Sequence, residues 1–146
     1  MKVYFDMCSL QRPLDDKAQL RLLVEVQAVL GVLALCESGE VELVASDALQ
    51  FEAEANPDAL RRDFVMQTLA KASHFADLDD EIEDRARKFI GEGIKPLDAL
   101  HLASAISAQA DYLCTCDDRF LKKARTLNTS PTKIVLPLEL VSELQI

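Results

Sequence analysis

The sequence predicts a single three-layer α/β/α domain with a central parallel sheet of four to five strands. Its length of 146 residues fits one domain, covering residues 1–146, and no linker or repeat divides it. Short apolar segments alternate with longer helical ones, which is typical of a parallel sheet covered by helices on both faces. Hydrophobic residues make up 49% of the chain and charged residues 28%, as expected of a packed globular protein.

Four segments have the composition of short buried strands, and six have that of helices. The predicted strands cover residues 2–5, 41–45, 111–114 and 133–136. Three of the predicted helices have clear bounds and cover residues 17–37, 96–109 and 138–144. The other three are recognised by their N-termini: Ser46 or Asp47 caps one, Pro57 lies in the first turn of the next, and six acids between residues 77 and 84 begin the third. Helix 17–37 is apolar around most of its circumference, so we expect it to be buried on two faces.

The net charge of −9 argues against a protein that binds nucleic acid by bulk electrostatics alone. It leaves open an enzyme that approaches phosphates through bound metal ions. The longest uncharged runs have 11 and 12 residues, whereas crossing a bilayer takes about 20. Because the N-terminus also lacks the pattern of a signal peptide, we expect a cytoplasmic protein with no membrane partner.

The four cysteines form no CxxC pair, and reduced thiols in an intracellular protein are the simplest interpretation. The alternative is a zinc site built from Cys8, Cys114, Cys116 and His101, since Cys114 and Cys116 would share one face of a strand. The spacing is not that of a familiar zinc motif.

Four acids stand where a parallel sheet carries its active site, beyond the carboxyl ends of the strands. Asp6 follows the first strand, Asp117 follows the strand 111–114, Asp98 lies in the first turn of the helix that leads to that strand, and Glu52 lies on the helix after the second strand. Carboxylates brought together repel one another unless a cation lies between them, and Mg²⁺ or Mn²⁺ suits oxygen ligands. Taken singly, each acid also fits a helix N-terminus, a turn or the surface.

Two motifs carry a family resemblance. Residues 95–105 read KPLDALHLASA and residues 111–120 read DYLCTCDDRF. Together they strongly resemble PIN-domain proteins, whose pattern is D-A-x-H-L-A, a hydrophobic strand, and then T-x-D-x-x-F. The resemblance implies a metal-dependent ribonuclease that acts on RNA, similar to the VapC-type toxins of bacterial toxin–antitoxin pairs. It also implies a homodimer and a cognate antitoxin whose segment enters the active-site groove.

Carried over residue by residue, the four acidic positions of the family correspond to Asp6, Glu52, Asp98 and Asp117. The resemblance implies that these four side chains are both metal ligands and catalytic residues. Glu54 is the alternative to Glu52. Two residues apart on a helix means about 200° apart, so the two cannot do the same job. Family members commonly place small polar residues just after the first Asp, whereas Met7 and Cys8 stand there in this chain.

Two residues near Asp117 are predicted to assist the quartet. Asp118 is a candidate auxiliary ligand. Thr115 is a candidate for a hydrogen bond to a ligand carboxylate or to the nucleophilic water. His101 follows Asp98 by three positions, and we expect it to be packed and hydrogen-bonded, with no catalytic role.

A basic stretch begins two residues after Asp117 and contains no acid up to residue 138. Within it, Arg119, Lys122 and Lys123 are candidate contacts to the phosphates that flank a scissile bond, and Arg12 is a further candidate on the loop after Asp6. A solvated lysine-rich helix face is the alternative interpretation of this stretch.

Competing functions remain at this stage. The main alternative is a non-catalytic PIN-like module that binds RNA or a partner without cleaving it. A receiver-type signalling domain would need paired acids after the first strand, where only Asp6 stands, and a dinucleotide-binding domain would need a GxGxxG motif that the chain lacks. Two divalent ions in the proposed pocket would change the charge from −9 to −5, so an RNA substrate remains compatible with the composition.

Overall fold

The strands of the central sheet are short, apolar and parallel to one another. In the computed structural model, which describes residues 1–16 and 18–145, they are β1 (Lys2–Phe5), β2 (Glu42–Ser46), β3 (His74–Ala76), β4 (Tyr112–Cys114) and β5 (Lys133–Val135). Their order across the sheet is β3-β2-β1-β4-β5. The central strand β1 is buried on both faces, because its residues Val3, Tyr4 and Phe5 have no exposed surface.

Helices cover both faces of this sheet. They are α1 (Met7–Gln11), α2 (Leu20–Ser38), α3 (Asp47–Glu54), α4 (Ala59–Leu69), α5 (Asp80–Gly91), α6 (Pro96–Ser107), α7 (Asp118–Ala124) and α8 (Pro137–Leu144). The chain moves along the sheet in opposite directions from β1 to β2 and from β3 to β4. Right-handed crossovers therefore place α2 and α6 on opposite faces. Helix α8 packs on α2, and α5 packs on α6. The predicted α/β class with a five-stranded parallel sheet is confirmed.

The four strands predicted from the sequence are β1, β2, β4 and β5, and each end lies within one residue of its predicted position. The fifth strand, β3, was not located from the sequence. It has only three residues, lies at the edge of the sheet and buries only Ala76, so it lacks the apolar run by which the other strands are recognised.

Two helix starts differ from the prediction. Helix α2 begins at Leu20 instead of residue 17, and Lys17 itself lies outside the described residues. The prediction that Pro57 lies in the first turn of a helix was wrong, because α4 begins only at Ala59. The Asp58 carboxylate accepts hydrogen bonds from the backbone N–H groups of Leu60 and Arg61, so Asp58 caps this helix and Pro57 precedes it.

Other helix ends follow the predicted signals. Ser46, and not Asp47, caps α3, since its Oγ accepts a hydrogen bond from the N–H of Leu49. Asp79 caps α5, in agreement with the predicted acid-rich N-terminus. Gly39 ends α2 in the left-handed conformation with φ of 84°, which glycine adopts at little cost.

Helices α1 and α7 are short; α1 was not predicted, and a helix at α7 was considered only as the alternative interpretation of the basic stretch. Asp6 caps α1 and Asp117 caps α7, so two of the candidate acids begin a helix immediately after a strand. A 3-10 turn at Arg12–Leu14 follows α1, where the sequence indicated a break. Among the described residues, no helix is long and apolar enough to span a membrane.

Candidate active site

Asp6 follows β1, the strand on either side of which the chain adds its other strands. The neighbours of β1 are β2 and β4, so the crevice between the ends of β1 and β4 is the topological switch point at which such sheets bind ligands. The backbone N–H of Asp6 donates to the carbonyl of Cys114 over 3.1 Å, which ties Asp6 to the end of β4. Its buried carboxylate accepts two hydrogen bonds at Oδ1, from the N–H of Ser9 and from Cys8 Sγ, each over 3.1 Å.

The Cys8 thiol therefore supplies a hydrogen-bond donor to Asp6 at a position where the resemblance led us to expect a small polar residue. A hydrogen bond to Cys116, together with burial, raises the pKa of Cys8, so the thiol keeps the proton that it donates to Asp6.

Asp117 is held in a similar way at the start of α7. Its Oδ1 accepts hydrogen bonds from the backbone N–H groups of Arg119, over 2.9 Å, and Phe120, over 3.2 Å. The buried hydroxyl of Thr115 accepts a hydrogen bond from the N–H of Asp117 over 3.0 Å. Thr115 thus fixes the backbone that carries Asp117, and its predicted contact to a ligand carboxylate or to water stays a prediction.

Glu52 faces the same region from α3. Its Oε1 lies 2.7 Å from Nε2 of His101, which belongs to α6. Glu54 is exposed on the outside of α3. The structure therefore places Glu52, and not Glu54, beside the other acids. His101 is only 2% exposed and hydrogen-bonded at both ring nitrogens, as expected from the sequence.

Three of the candidate acids act electrostatically on the fourth, Asp98. Burial raises the pKa of Asp98 to about 6, and the negative charges of Asp6, Asp117 and Glu52 also raise it. These side chains come from four separate parts of the chain, so their charges are brought together by the fold and not by nearness in the sequence. The pocket therefore has surplus negative charge.

The donor set of this pocket suits a hard divalent cation. Among the described residues, no three His, Cys, Asp or Glu side chains stand close enough to form a ready-made metal cluster. Asp6, Asp117 and Glu52 each have one carboxylate oxygen occupied by hydrogen bonds from the protein, whereas residues 1–16 and 18–145 make no such bond to the other oxygen. Oriented carboxylates with a second oxygen available are the arrangement expected of Mg²⁺ or Mn²⁺ ligands.

A comparison of the chain with sequence models of protein families identifies its family. The sequence model of the PIN domain matches residues 8–126, which is most of the chain and includes both motifs. The chain belongs to the PIN domain family. The resemblance predicted from the two motifs is thereby confirmed, and PIN domains are generally nucleases. A comparison with curated protein sequences finds no match.

The PIN fold is also supported by a solved structure. The crystal structure of VapBC2 from Rickettsia felis bound to a DNA fragment from its promoter contains a chain that superimposes with a TM-score of 0.56. The identity is 12%, and the match covers 92% of this PIN domain and 99% of that chain. At this level of identity the match shows a shared fold.

Basic side chains stand next to two of the acids. A cavity of about 200 Å³ is lined by Asp98 and Asp117 together with Lys95, Arg119 and Lys123. Sequence reasoning predicted Arg119 and Lys123 but missed Lys95. Its position was a usable signal, because Lys95 caps the helix that carries Asp98 in its first turn.

The other predicted phosphate contacts are placed differently. Arg12 forms ion pairs with Asp15, over 2.9 Å, and with the buried Glu25, over 3.5 Å, so its guanidinium is already engaged. Lys122 is exposed on α7 and does not line the cavity. The role of both residues in RNA binding stays a prediction.

Asp118, the predicted auxiliary ligand, is bound by Arg21 of α2. The two side chains form a bidentate pair with distances of 2.8 and 3.0 Å. Asp118 would have to leave this pair to reach an ion, so its predicted role also stays open.

The alternative zinc site finds no support among the described residues. All four cysteines are free, and no group of three His, Cys, Asp or Glu side chains there is placed to hold an ion. Unlike the carboxylates, Cys114 has no exposed surface, and both ring nitrogens of His101 are already hydrogen-bonded.

Proposed function

We propose that this PIN domain is a metal-dependent endoribonuclease that hydrolyses RNA phosphodiester bonds, and that it is the toxin of a type II toxin–antitoxin pair. The observation that supports it best is the convergence of four carboxylates, which raises the pKa of Asp98 to about 6 through burial and through the charges of Asp6, Asp117 and Glu52. A divalent cation is the natural counterion for such a pocket, and metal-assisted hydrolysis is the chemistry that follows.

In this proposal Asp6, Glu52, Asp98 and Asp117 hold Mg²⁺ or Mn²⁺. When bound, the metal polarises the scissile phosphate and lowers the pKa of a bound water. In this proposal the hydrogen bonds at one oxygen of Asp6, Asp117 and Glu52 fix each carboxylate and leave its other oxygen for the ion. Orientation of this kind lowers the cost of binding, because the side chains lose little freedom.

The basic side chains beside the acids bind the substrate in the same proposal. Lys95, Arg119 and Lys123 line the cavity that Asp98 and Asp117 share. Phosphates that flank the scissile bond would lie against these cations, which fixes the position of the RNA backbone without reading its sequence. Such contacts attract a polyanion to an otherwise acidic protein.

The test of the nuclease is cleavage of single-stranded RNA by purified protein, with Mn²⁺ or with EDTA. We expect cleavage only with metal, and we expect Asp6→Asn and Asp98→Asn to reduce it by more than about 100-fold, since each removes a ligand. Glu54→Gln is the matched control, because Glu54 is an exposed acid on the same helix as Glu52, and it should cleave like the wild type. Binding of RNA without cleavage in Mn²⁺ would identify a non-catalytic module instead.

The toxin role has a separate test. Induced expression of the wild type should arrest bacterial growth, and expression of Asp6→Asn at the same level should not. Normal growth with an active nuclease would contradict the toxin role while leaving the nuclease intact. Co-expression of a small protein encoded beside the chain should restore growth where such a protein is the antitoxin.

The same proposal includes two protein partners, an antitoxin at the acidic pocket and a second copy of the chain elsewhere. An apolar groove of about 640 Å³ between α2 and α8 supports the second copy, with Leu23 and Leu138 as exposed parts of its lining. Exposed patches of this kind mark association surfaces. Leu138→Glu should convert a dimer to a monomer in sedimentation experiments, and a wild type that is already monomeric would refute the dimer.

A further inference from the structure

A line of buried hydrogen bonds leads from the core of the protein to Glu52. Ser46 Oγ lies 2.7 Å from Tyr4 Oη, Tyr4 Oη lies 2.7 Å from His101 Nδ1, and His101 Nε2 lies 2.7 Å from Glu52 Oε1. Ser46 and Tyr4 have no exposed surface and His101 is 2% exposed, whereas the side chain of Glu52 is 29% exposed. We call these four residues the relay.

The chemistry of the groups fixes the direction of the last bond in the relay. An ionised carboxylate only accepts hydrogen bonds, so Nε2 of His101 carries the proton that meets Glu52. In a neutral imidazole Nδ1 is then an acceptor, and the Tyr4 hydroxyl donates to it. The Tyr4 hydroxyl has no exposed surface, and it can accept a hydrogen bond from Ser46 while it donates to His101. Every polar atom of the relay then has a partner of the right kind.

The relay also joins the elements that carry three of the acids. Tyr4 belongs to β1, and Asp6 directly follows that strand. His101 lies three residues after Asp98 on α6. Ser46 caps α3, the helix that carries Glu52. A shift of α3 relative to α6 would break the bond between His101 and Glu52. The relay therefore holds the acids in register.

We propose that His101 and Tyr4 are positioning residues, which hold Glu52 Oε1 so that Oε2 is presented to a divalent cation. This inference rests on the proposed function, since it concerns the affinity of the same pocket for metal. Hydrogen bonds behind a metal ligand commonly change metal affinity or activity by 10-fold to 100-fold.

A role in packing alone does not account for this arrangement. An imidazole and a phenol in the core must both be hydrogen-bonded, or their burial costs free energy. Apolar residues of similar size would fill the same space without that requirement. The relay ends on a partly exposed carboxylate instead of a second core residue, which indicates that the orientation of Glu52 is what it secures.

The first experiment uses the protein without metal and does not depend on activity. The chain has only two histidines, so His74→Gln leaves the ring of His101 as the single imidazole signal. Two-bond ¹H–¹⁵N correlation spectra in EDTA should show a proton on Nε2 of His101. Tyr4→Phe should shift the Nδ1 resonance, since that nitrogen loses its donor. An Nε2 without a proton would overturn the inference whatever the activity of the protein.

The second experiment measures Mn²⁺ affinity by calorimetry and the melting temperature of each variant. His101→Leu should weaken Mn²⁺ binding by about 10-fold or more. His101→Gln is the conservative control, because its amide can donate to Glu52 and accept from Tyr4, and it should recover most of the affinity. In a Glu52→Gln background, His101→Leu should weaken the affinity no further, because the group that it positions is gone.

The outcomes separate the inference from the proposed function. A His101→Leu variant that melts earlier but binds Mn²⁺ like the wild type would overturn the positioning role and leave the metal-dependent nuclease standing. Equal losses of affinity in the wild-type and Glu52→Gln backgrounds would also overturn it. A wild type that binds no Mn²⁺ would overturn the proposed function, and the positioning role with it.

Discussion

Replacing Asp98 with asparagine should make the metal-free protein more stable at neutral pH. Burial and the charges of Asp6, Asp117 and Glu52 raise the pKa of Asp98 to about 6, against 3.8 for the free side chain. The folded protein therefore keeps a proton between about pH 4 and 6 that the unfolded chain has released. Its stability consequently falls as the pH rises through this window, and above about pH 6 the full cost of the charged carboxylate is present.

The magnitude follows from the size of the shift. Two pKa units correspond to about 3 kcal/mol of free energy of unfolding. Asp98 is half-buried, so solvent screens part of this effect, and we expect about 1–2 kcal/mol. For a chain of this length that is a rise of roughly 3–6 °C in the melting temperature at pH 7.5.

The assay is thermal unfolding in EDTA at several pH values from 4 to 8, with the wild type, Asp98→Asn and Asp63→Asn. Asp63 is an exposed acid on α4, so its variant controls for the loss of one negative charge. The difference between Asp98→Asn and the wild type should be near zero at pH 4 and should grow through pH 6. A constant difference across the range, or a less stable Asp98→Asn at pH 7.5, would refute the electrostatic argument. Adding Mn²⁺ should reverse the order, because only the wild type keeps the ligand.

Two further predictions concern substrate binding and the end of a helix. Lys123→Ala should weaken RNA binding about 3-fold to 10-fold and lower the slope of log affinity against log salt by about 1. Lys71→Ala is the control, because Lys71 lies outside the cavity and pairs with Glu37, and it should change neither quantity. Filter binding from 50 to 200 mM salt tests this, and equal effects of the two variants would contradict it. Gly39→Ala should destabilise the fold by about 1 kcal/mol, because φ is 84° at this position. In Gly31→Ala, within α2, the added Cβ meets no atom within 4 Å, so this variant should be more stable by about 0.5–1 kcal/mol. Urea unfolding measures both changes, and the reverse order would be inconsistent with this reasoning.

The sequence located the acids because each stands at a local signal. Asp6 and Asp117 directly follow apolar strands, and Asp98 follows a proline that opens a helix, so topology alone predicts that they share one edge of the sheet. Glu52 was preferred to Glu54 only for its distance from Ser46, because both acids lie on α3 and the pattern does not give the rotation of the helix. In the structure Glu52 contacts His101 whereas Glu54 is exposed, and the role of Glu52 as a ligand stays a prediction.

The relay could not be predicted because it depends on the pairing of distant strands. Tyr4 of β1 is in register with Val44 of β2, so Ser46 lies two residues further along on the same face of the sheet. A tyrosine in an apolar strand and a serine at a helix start each have a sufficient local explanation. Only the register shows that their hydroxyls meet and that His101 continues the line to Glu52.

The distribution of ion pairs shows where an acidic protein could bind RNA, as the proposed function requires. Several cations of the described chain are paired with carboxylates, as Arg21 is with Asp118 and Arg125 with Glu139. Lys95, Arg119 and Lys123 have no such ion pair among the described residues, and all three line the cavity beside Asp98 and Asp117. The net charge of −9 therefore does not describe this part of the surface, where three cations stand beside the acids. A phosphate can approach an exposed cation that has no carboxylate partner, so in the proposed function these three side chains, which also lie beside the acids, are the expected contacts of the RNA backbone.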